Sequence, residues 1–191
     1  MEGLSHRGRR RPPLLVLPPR PGDGGGMDFV IGAELGFALA KAGHPTLRFN
    51  HRGVGASQGV AGSGDPLVED ALAALTLASE NAGGARPALV AAGGACEVAL
   101  EVLRRHPERL AGVGLISPLT VTPEQLPAGD VPLLLVVGSE EPTHGRLALA
   151  TRVLESGGQF ELIEGADATW ARGLTELGHA VVRWFEHQLE H

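Results

Sequence analysis

ALVAAGGACEVAL, residues 88–100, is the stretch of sequence that decides the fold of this chain. Its apolar run is typical of a buried strand, its adjacent glycines allow a sharp turn, and the apolar spacing after them predicts a helix. A strand, a tight turn and a helix in this order can hold a catalytic nucleophile at the turn. The turn itself carries no nucleophilic side chain. The stretch is therefore either an enzyme site built from different residues or one that has lost its nucleophile.

The same alternation of strand and helix continues along the rest of the chain. Strands joined by crossover helices form a parallel sheet with helices on both faces, because each apolar strand face must be covered. We therefore predict an α/β fold, with a single domain over 13–191, about six mostly parallel strands and no cap domain. The predicted strands are 14–18, 46–50, 87–92, 110–116, 131–137 and 159–163, and the predicted helices are 27–42, 65–81, 97–105, 142–156 and a closing helix around 174–185.

The net charge of the chain limits the kinds of partner that it is expected to bind. The formal net charge of −6 at pH 7 and the pI near 5.7 argue against nucleic-acid binding. The exception is HRGRRR, residues 6–11, which precedes the first apolar run. Short basic tails are typically solvated, so we expect a disordered arm over 1–12, with a phosphate or partner contact as the alternative.

Composition also bears on compartment and cofactors. A single cysteine cannot form an internal disulfide, which favours a reducing compartment, and we expect a cytoplasmic protein. No run reaches the roughly 18 apolar residues of a membrane span, so no membrane partner is expected. The sequence has neither a zinc-ligand spacing nor a phosphate-loop signature, so no metal and no cofactor are predicted.

TLRFNHRGVGASQG, residues 46–59, resembles the TLRFNFRGVGxSxG segment of a small, lidless subgroup of α/β hydrolases. The loop, helix and strand over 24–50, the helix start over 68–75 and the carboxyl-terminal segment 165–185 follow the same order. The resemblance therefore covers nearly the whole chain from Leu14. It implies an α/β-hydrolase core and a Ser–His–Asp triad whose serine stands on a G-x-S-x-G elbow.

Aligned on the elbow, the resemblance assigns the nucleophile position to Gly93, which has no side chain that can attack a substrate. Ala91 and Ala95 take the flanking small positions. The acid position falls on Glu141, and glutamate can orient a histidine in this role. The histidine of the family's GADHFF falls on Ala168, in GADATW. With nucleophile and base both missing, the resemblance predicts a degenerate triad.

Other side chains are weaker candidates for the missing nucleophile. Cys96 as nucleophile would leave Val98 where a small residue is needed, so a buried helix position is favoured. Ser57 and Ser63 fit ordinary turn chemistry, and Ser117 fits a cap or turn at a strand end.

His51 follows a predicted strand end, where the family mostly has an aromatic residue. Either it lines the former site, or its ring packs as an aromatic would. Arg52 is predicted to bind backbone carbonyls of its loop, with a substrate carboxylate as the alternative. The glycines at 24–26 line the oxyanion hole in the family, and a flexible turn is the alternative.

The predicted function follows from these positions. We expect a catalytically inactive hydrolase-like protein that binds a small ligand or a protein partner. The predicted ligand-binding residues are Gly25, Gly26, His51, Gly93 and Gly94, and the last two would attract anions through N–H groups at a helix start. One alternative is an active hydrolase with an unfamiliar constellation, such as His51 with Glu141. Another is a structural module that forms a homodimer.

Overall fold

The computed structural model describes residues 1–142 and 145–189, which build one sheet flanked by helices. The strands are β1 (Gly3–His6), β2 (Leu14–Val16), β3 (Thr46–Phe49), β4 (Ala88–Ala92), β5 (Gly112–Ile116), β6 (Leu133–Gly138) and β7 (Gln159–Ile163). The helices are α1 (Val30–Lys41), α2 (Asp65–Asn81), α3 (Ala95–Arg105), α4 (Arg146–Glu155) and α5 (Leu174–Trp184). The strand order in the seven-stranded sheet is β1-β3-β2-β4-β5-β6-β7.

Strands β2 to β7 run parallel, and helices cover both faces of the sheet. Residues of α1 and α5 form one core with the sheet, and residues of α2, α3 and α4 form the other. Strands β2 to β6 are buried along their whole length, as burial on both faces requires. The predicted α/β fold is confirmed. The loops that follow the parallel strands share one side, called the carboxyl edge below, and the opposite side is called the amino edge.

The first residues correct the expectation of a disordered arm over 1–12. Gly3–His6 pairs antiparallel with β3 and becomes an edge strand of the sheet. Without it, the outer backbone of β3 would be unpaired, so the pairing satisfies hydrogen-bonding groups that would otherwise form an open edge. Farther along, Arg10 Nη1 lies 2.7 Å from Glu186 Oε1. The arm is therefore an additional strand followed by a basic segment that is tied to the end of the domain.

Helix starts differ from the predicted ones by a few residues. The first helix begins at Val30 rather than at residue 27, because Phe29 N–H donates to the Gly26 carbonyl at 3.3 Å in a preceding turn. The third begins at Ala95, earlier than predicted. The described part of the fourth begins at Arg146, and residues 143 and 144 of its predicted first turn lie outside the described residues.

Candidate functional site

The turn between β4 and α3 has the geometry of an elbow. Gly93 has φ +56°, a left-handed conformation that residues with a Cβ rarely adopt. Its N–H donates to the carbonyl of Ile116 at 2.9 Å, and its carbonyl accepts from Cys96 N–H at 3.2 Å, which fixes the turn against β5. A Cβ built on Gly93 meets no atom within 4 Å. The position assigned to the nucleophile therefore faces open space and has no functional group.

Arg20 covers the residue after the elbow. A Cβ on Gly94 would lie 2.5 Å from Arg20 Nη2, so the guanidinium occupies the space above the start of α3. Arg20 Nε lies 2.8 Å from Asp23 Oδ2, and its Nη1 lies 3.1 Å from Glu97 Oε2. These carboxylates offset the cation, and the Gly93 N–H is already used within the turn. The anion site predicted at Gly93 and Gly94 stays a prediction, and of their two amides the Gly94 N–H is the one left to serve it.

Glu141, at the position assigned to the acid, is 5% exposed and already has two donors. Ser117 Oγ donates to Glu141 Oε1 at 2.5 Å, and Gly138 N–H donates to the same oxygen at 2.6 Å. The indole Nε1 of Trp170 donates to Ser117 Oγ at 2.8 Å. The acid therefore ends a buried chain that runs indole to hydroxyl to carboxylate.

These hydrogen bonds, called the Trp170–Ser117–Glu141 network below, include two residues with a strained backbone conformation. Ser117 has φ +45° and Trp170 has φ +57°, and these are the non-glycine residues with positive φ in the described part of the chain. Such conformations cost about 1–3 kcal/mol each and persist where neighbouring contacts fix them. The sequence made Ser117 a weak nucleophile candidate with a cap or turn role preferred, and it indicated no role for Trp170. Trp170 follows β7 and Ser117 follows β5, two strands away, so no local pattern could have revealed the bond.

Ala168, at the position assigned to the histidine, lies half-buried in the turn between β7 and α5. Asp167 Oδ1 accepts from the Thr169 hydroxyl at 2.6 Å and from Thr169 N–H at 2.8 Å, and these bonds lower the pKa of the Asp167 carboxyl. Glu140 N–H donates to the Ala166 carbonyl at 3.0 Å, which joins this turn to the loop after β6. The turn is well defined, but it carries no group at Ala168 that can accept a proton.

His51 is 2% exposed, and its ring lies edge-to-face on Phe49 with centroids 5.2 Å apart. Its Nδ1 lies 3.3 Å from Asp70 Oδ2. Burial lowers the pKa of His51, and the hydrogen bond with Asp70 opposes that shift. The His51 ring therefore packs as an aromatic residue would, which favours the second of the two predicted roles, and its part in ligand binding stays a prediction.

The loop after β3 is stabilised by side-chain hydrogen bonds that the sequence pattern did not predict. Arg52 binds Asp70 and Glu69 rather than backbone carbonyls, with Nε to Asp70 Oδ1 at 2.9 Å and Nη2 to Glu69 Oε2 at 2.9 Å. Glu2 Oε2 accepts from Asn50 Nδ2 at 2.6 Å and from Ala56 N–H at 2.8 Å. Asp70 and Glu2 lie far from this loop in sequence, so only folding brings them to it.

Gly25 and Gly26 belong to the loop that would line an oxyanion hole. Gly25 is buried, and a Cβ there would lie 2.0 Å from the Pro19 carbonyl oxygen. Gly26 is half-buried beside Asn50, whose Oδ1 accepts from Met27 N–H at 2.7 Å. Close packing against Pro19 explains why glycine is needed at Gly25, which favours the turn alternative at that position.

Cys96 is not accessible as a nucleophile. Its side chain is fully buried, its Sγ donates to the Ala91 carbonyl at 3.4 Å, and burial raises the pKa of the thiol to about 12. Within residues 1–142 and 145–189, no group of three or more His, Cys, Asp and Glu side chains could hold a metal ion. No helix in those ranges is long and apolar enough to cross a bilayer.

A small cavity of about 210 Å³ lies at the carboxyl edge beside Glu141. Pro118 and Leu119 line it from the loop after β5, Arg146 and Leu149 from α4, and Arg146 Nη1 donates to the Gly138 carbonyl at 2.9 Å. The cavity is below the roughly 300–1,000 Å³ that drug-sized ligands fill, so it suits only a ligand of a few heavy atoms.

No protein-family model and no curated protein matches this sequence. Solved structures do match it. A protein of unknown function from Agrobacterium tumefaciens is 23% identical with a TM-score of 0.83, over 98% of this chain and 90% of that chain. An α/β serine hydrolase homologue from Coxiella burnetii is 25% identical with a TM-score of 0.80, over 95% and 89%. A lidless α/β serine hydrolase from Xanthomonas campestris is 17% identical with a TM-score of 0.81, over 99% and 89%. The chain has the α/β-hydrolase fold.

Proposed function

We propose that this protein is a catalytically inactive α/β-hydrolase-fold protein that binds a small ligand or a protein partner at its carboxyl edge. The observation that carries the proposal is Gly93. Its φ of +56° and its bond to β5 keep the elbow in the form that presents a nucleophile, yet the residue has no side chain. An acyl-transfer enzyme needs a hydroxyl or thiol at that point, together with a base within hydrogen-bond reach.

The other two positions support the same proposal. Ala168 offers no base, and Glu141 is bound to Ser117 and Gly138 instead of orienting an imidazole. The alternative of an active enzyme built on His51 and Glu141 has less support, because His51 pairs with Asp70. Neither the Glu141 network nor the His51–Asp70 pair contains an exposed nucleophile, since Ser117 and His51 are each 2% exposed.

Open space at the carboxyl edge supports binding. The direction in which a side chain on Gly93 would point is clear of atoms, and a cavity lies beside Glu141. Both features would take a small molecule or a side chain of a partner. We further propose a cytoplasmic location, which the buried, unpaired Cys96 supports.

The test is an activity measurement on the purified protein. We expect no turnover of short-chain p-nitrophenyl esters above the buffer rate and no labelling by a serine-directed fluorophosphonate. An active lidless serine hydrolase, treated in parallel, supplies the positive control. Turnover on the order of 1–10 per second, abolished by the fluorophosphonate, would overturn the proposal, because that rate is typical of enzymes.

A further inference from the structure

The amino edge of the sheet contains a cleft that lies apart from the elbow. Its volume is about 420 Å³, and it lies between β1, the start of β3 and the end of α2. Buried residues form its floor, among them Leu14, Leu47 and Ala78, and exposed residues form its rim, among them His6, Arg7 and Asn81. The cleft exists because residues 3–6 pair with β3, and the sequence pattern did not predict this pairing.

Arg7 gives the rim of the cleft a positive charge. Arg7 is exposed and forms no ion pair within residues 1–142 and 145–189. His6 Nδ1 lies 2.9 Å from Thr46 Oγ1, which holds the imidazole at the mouth. Arg9 and Arg11 follow on the same arm and add positive charge. A concentration of cations in a protein of net charge −6 favours anions at this point of the surface.

We propose that this cleft binds a small amphiphilic anion, with an apolar group on the floor and a carboxylate or phosphate monoester at Arg7. The volume is within the roughly 300–1,000 Å³ of small-molecule sites, and the buried side chains of the floor offer a small apolar contact below a largely polar wall, which suits a ligand with a short apolar group. A guanidinium without a partner presents paired N–H donors that match the two oxygens of a carboxylate or phosphate. The proposal does not rest on the proposed function, since the elbow is at the opposite edge.

The experiment is a titration of the ¹⁵N-labelled protein with hexyl phosphate, hexanoate and hexanol, followed by amide shifts. We expect saturable shifts at Arg7, Leu47 and Asn81 for one or both anions, and binding of hexanol at least about tenfold weaker, because hexanol has no charge for the Arg7 guanidinium to bind. Comparing the affinities for hexyl phosphate and hexanoate then identifies which head group the cleft prefers.

Variants separate this cleft from general attraction to a basic arm. Arg7→Gln should weaken binding at least about tenfold, whereas Arg9→Gln, on the same arm but outside the cleft lining, should change it less than about twofold. Ser5→Trp, at an exposed rim position, should fill the cleft and abolish binding. Before the titrations, thermal unfolding must show that each variant has the same unfolding temperature as the parent protein.

Three outcomes would overturn the proposal. The first is that neither anion gives saturable shifts at millimolar concentration. The second is that Arg9→Gln weakens binding as much as Arg7→Gln does, which would mean non-specific attraction to the arm. The third is that the shifts cluster at Gly93 and Gly94, which would place the ligand at the elbow and not in the cleft.

Discussion

The indole Nε1 of Trp170 donates a 2.8 Å hydrogen bond to Ser117 Oγ, and both residues have positive φ. Trp170 is 1% exposed and Ser117 is 2% exposed, so the bond forms away from solvent. The serine hydroxyl in turn donates a hydrogen bond to Glu141 Oε1 at 2.5 Å. This network joins the loops that follow β5, β6 and β7. The carboxylate at the acid position thus stabilises the carboxyl edge.

Removing the central hydroxyl should destabilise the fold. Ser117→Ala leaves the Trp170 indole without its acceptor and takes one donor from Glu141, so the free energy of unfolding should fall by about 2–4 kcal/mol. Ser117→Gly loses the same bonds but relieves the positive φ, so it should be about 1 kcal/mol less destabilising than Ser117→Ala. Urea unfolding measures both. Ser63→Ala, in an exposed loop, is the control and should stay within about 0.5 kcal/mol of the parent. Equal stability of Ser117→Ala and parent would show that the network contributes nothing.

Restoring the two missing groups tests the assignment of Gly93 and Ala168. Gly93→Ser has room, since an added Cβ meets nothing within 4 Å, but φ +56° should cost about 1–2 kcal/mol of stability. Each single variant, Gly93→Ser or Ala168→His, should show almost no esterase activity. The double variant should exceed either by at least about tenfold, because nucleophile and base act as a unit. Its rate should remain poor, as Glu141 is already bound by Ser117. A folded double variant no better than the singles would mean that the two positions do not face each other.

His51 should make the fold sensitive to acid. Burial lowers the pKa of His51 below its ordinary value of 6.5, so the unfolded chain binds more protons than the folded chain between these two values. The free energy of unfolding should therefore fall as pH drops below about 6.5 and level off below the folded-state pKa. His51→Phe should remove this part of the pH dependence and keep the edge-to-face contact with Phe49. Denaturant unfolding between about pH 4 and 8 measures the slope. His179→Gln, at an exposed position, should keep the parental slope, and a parental slope in folded His51→Phe would contradict the prediction.

Glu2 should stabilise the loop after β3. Its carboxylate accepts from Ala56 N–H and from Asn50 Nδ2, and these bonds lower the pKa of the Glu2 carboxyl. In Glu2→Ala, the amide of Ala56 should exchange with solvent about fivefold faster or more, because its acceptor is lost. Hydrogen exchange read by NMR gives the rate, with Glu80→Ala, an exposed helix position, as the control. Unchanged protection of Ala56 would mean that residues 1–6 do not hold the loop.

Several features could be predicted because they depend on local pattern. Each of the six strands predicted from 14–18 to 159–163 is present in the sheet, and all but the last of them are buried along their length. The glycine pair at Gly93 and Gly94 predicted a sharp turn, and Gly93 has the positive φ that such a turn needs. The acidic composition and the absence of zinc-ligand spacing also follow from counting residues.

Other features depend on contacts between distant segments, which no local pattern encodes. Whether residues 3–6 form a strand depends on the free edge of β3, and the arm's polar sequence gave no sign of it. Arg20 lies on Gly94 only because β2 and β4 are neighbours in the sheet. Likewise Asp70 reaches the His51 ring only because α2 packs against β3.

The sequence by itself determined the six parallel strands, the elbow and the absence of a hydroxyl at Gly93 and of an imidazole at Ala168, since each is a property of residue type and spacing. Only the tertiary structure decided what the remaining groups do. Glu141 could have turned to solvent or to a ligand, and it instead accepts from Ser117 and Gly138 because burial makes an unpaired carboxylate costly. These hydrogen bonds join residues of three loops that are far apart in sequence, so the order of residues does not show which of their side chains will be in contact.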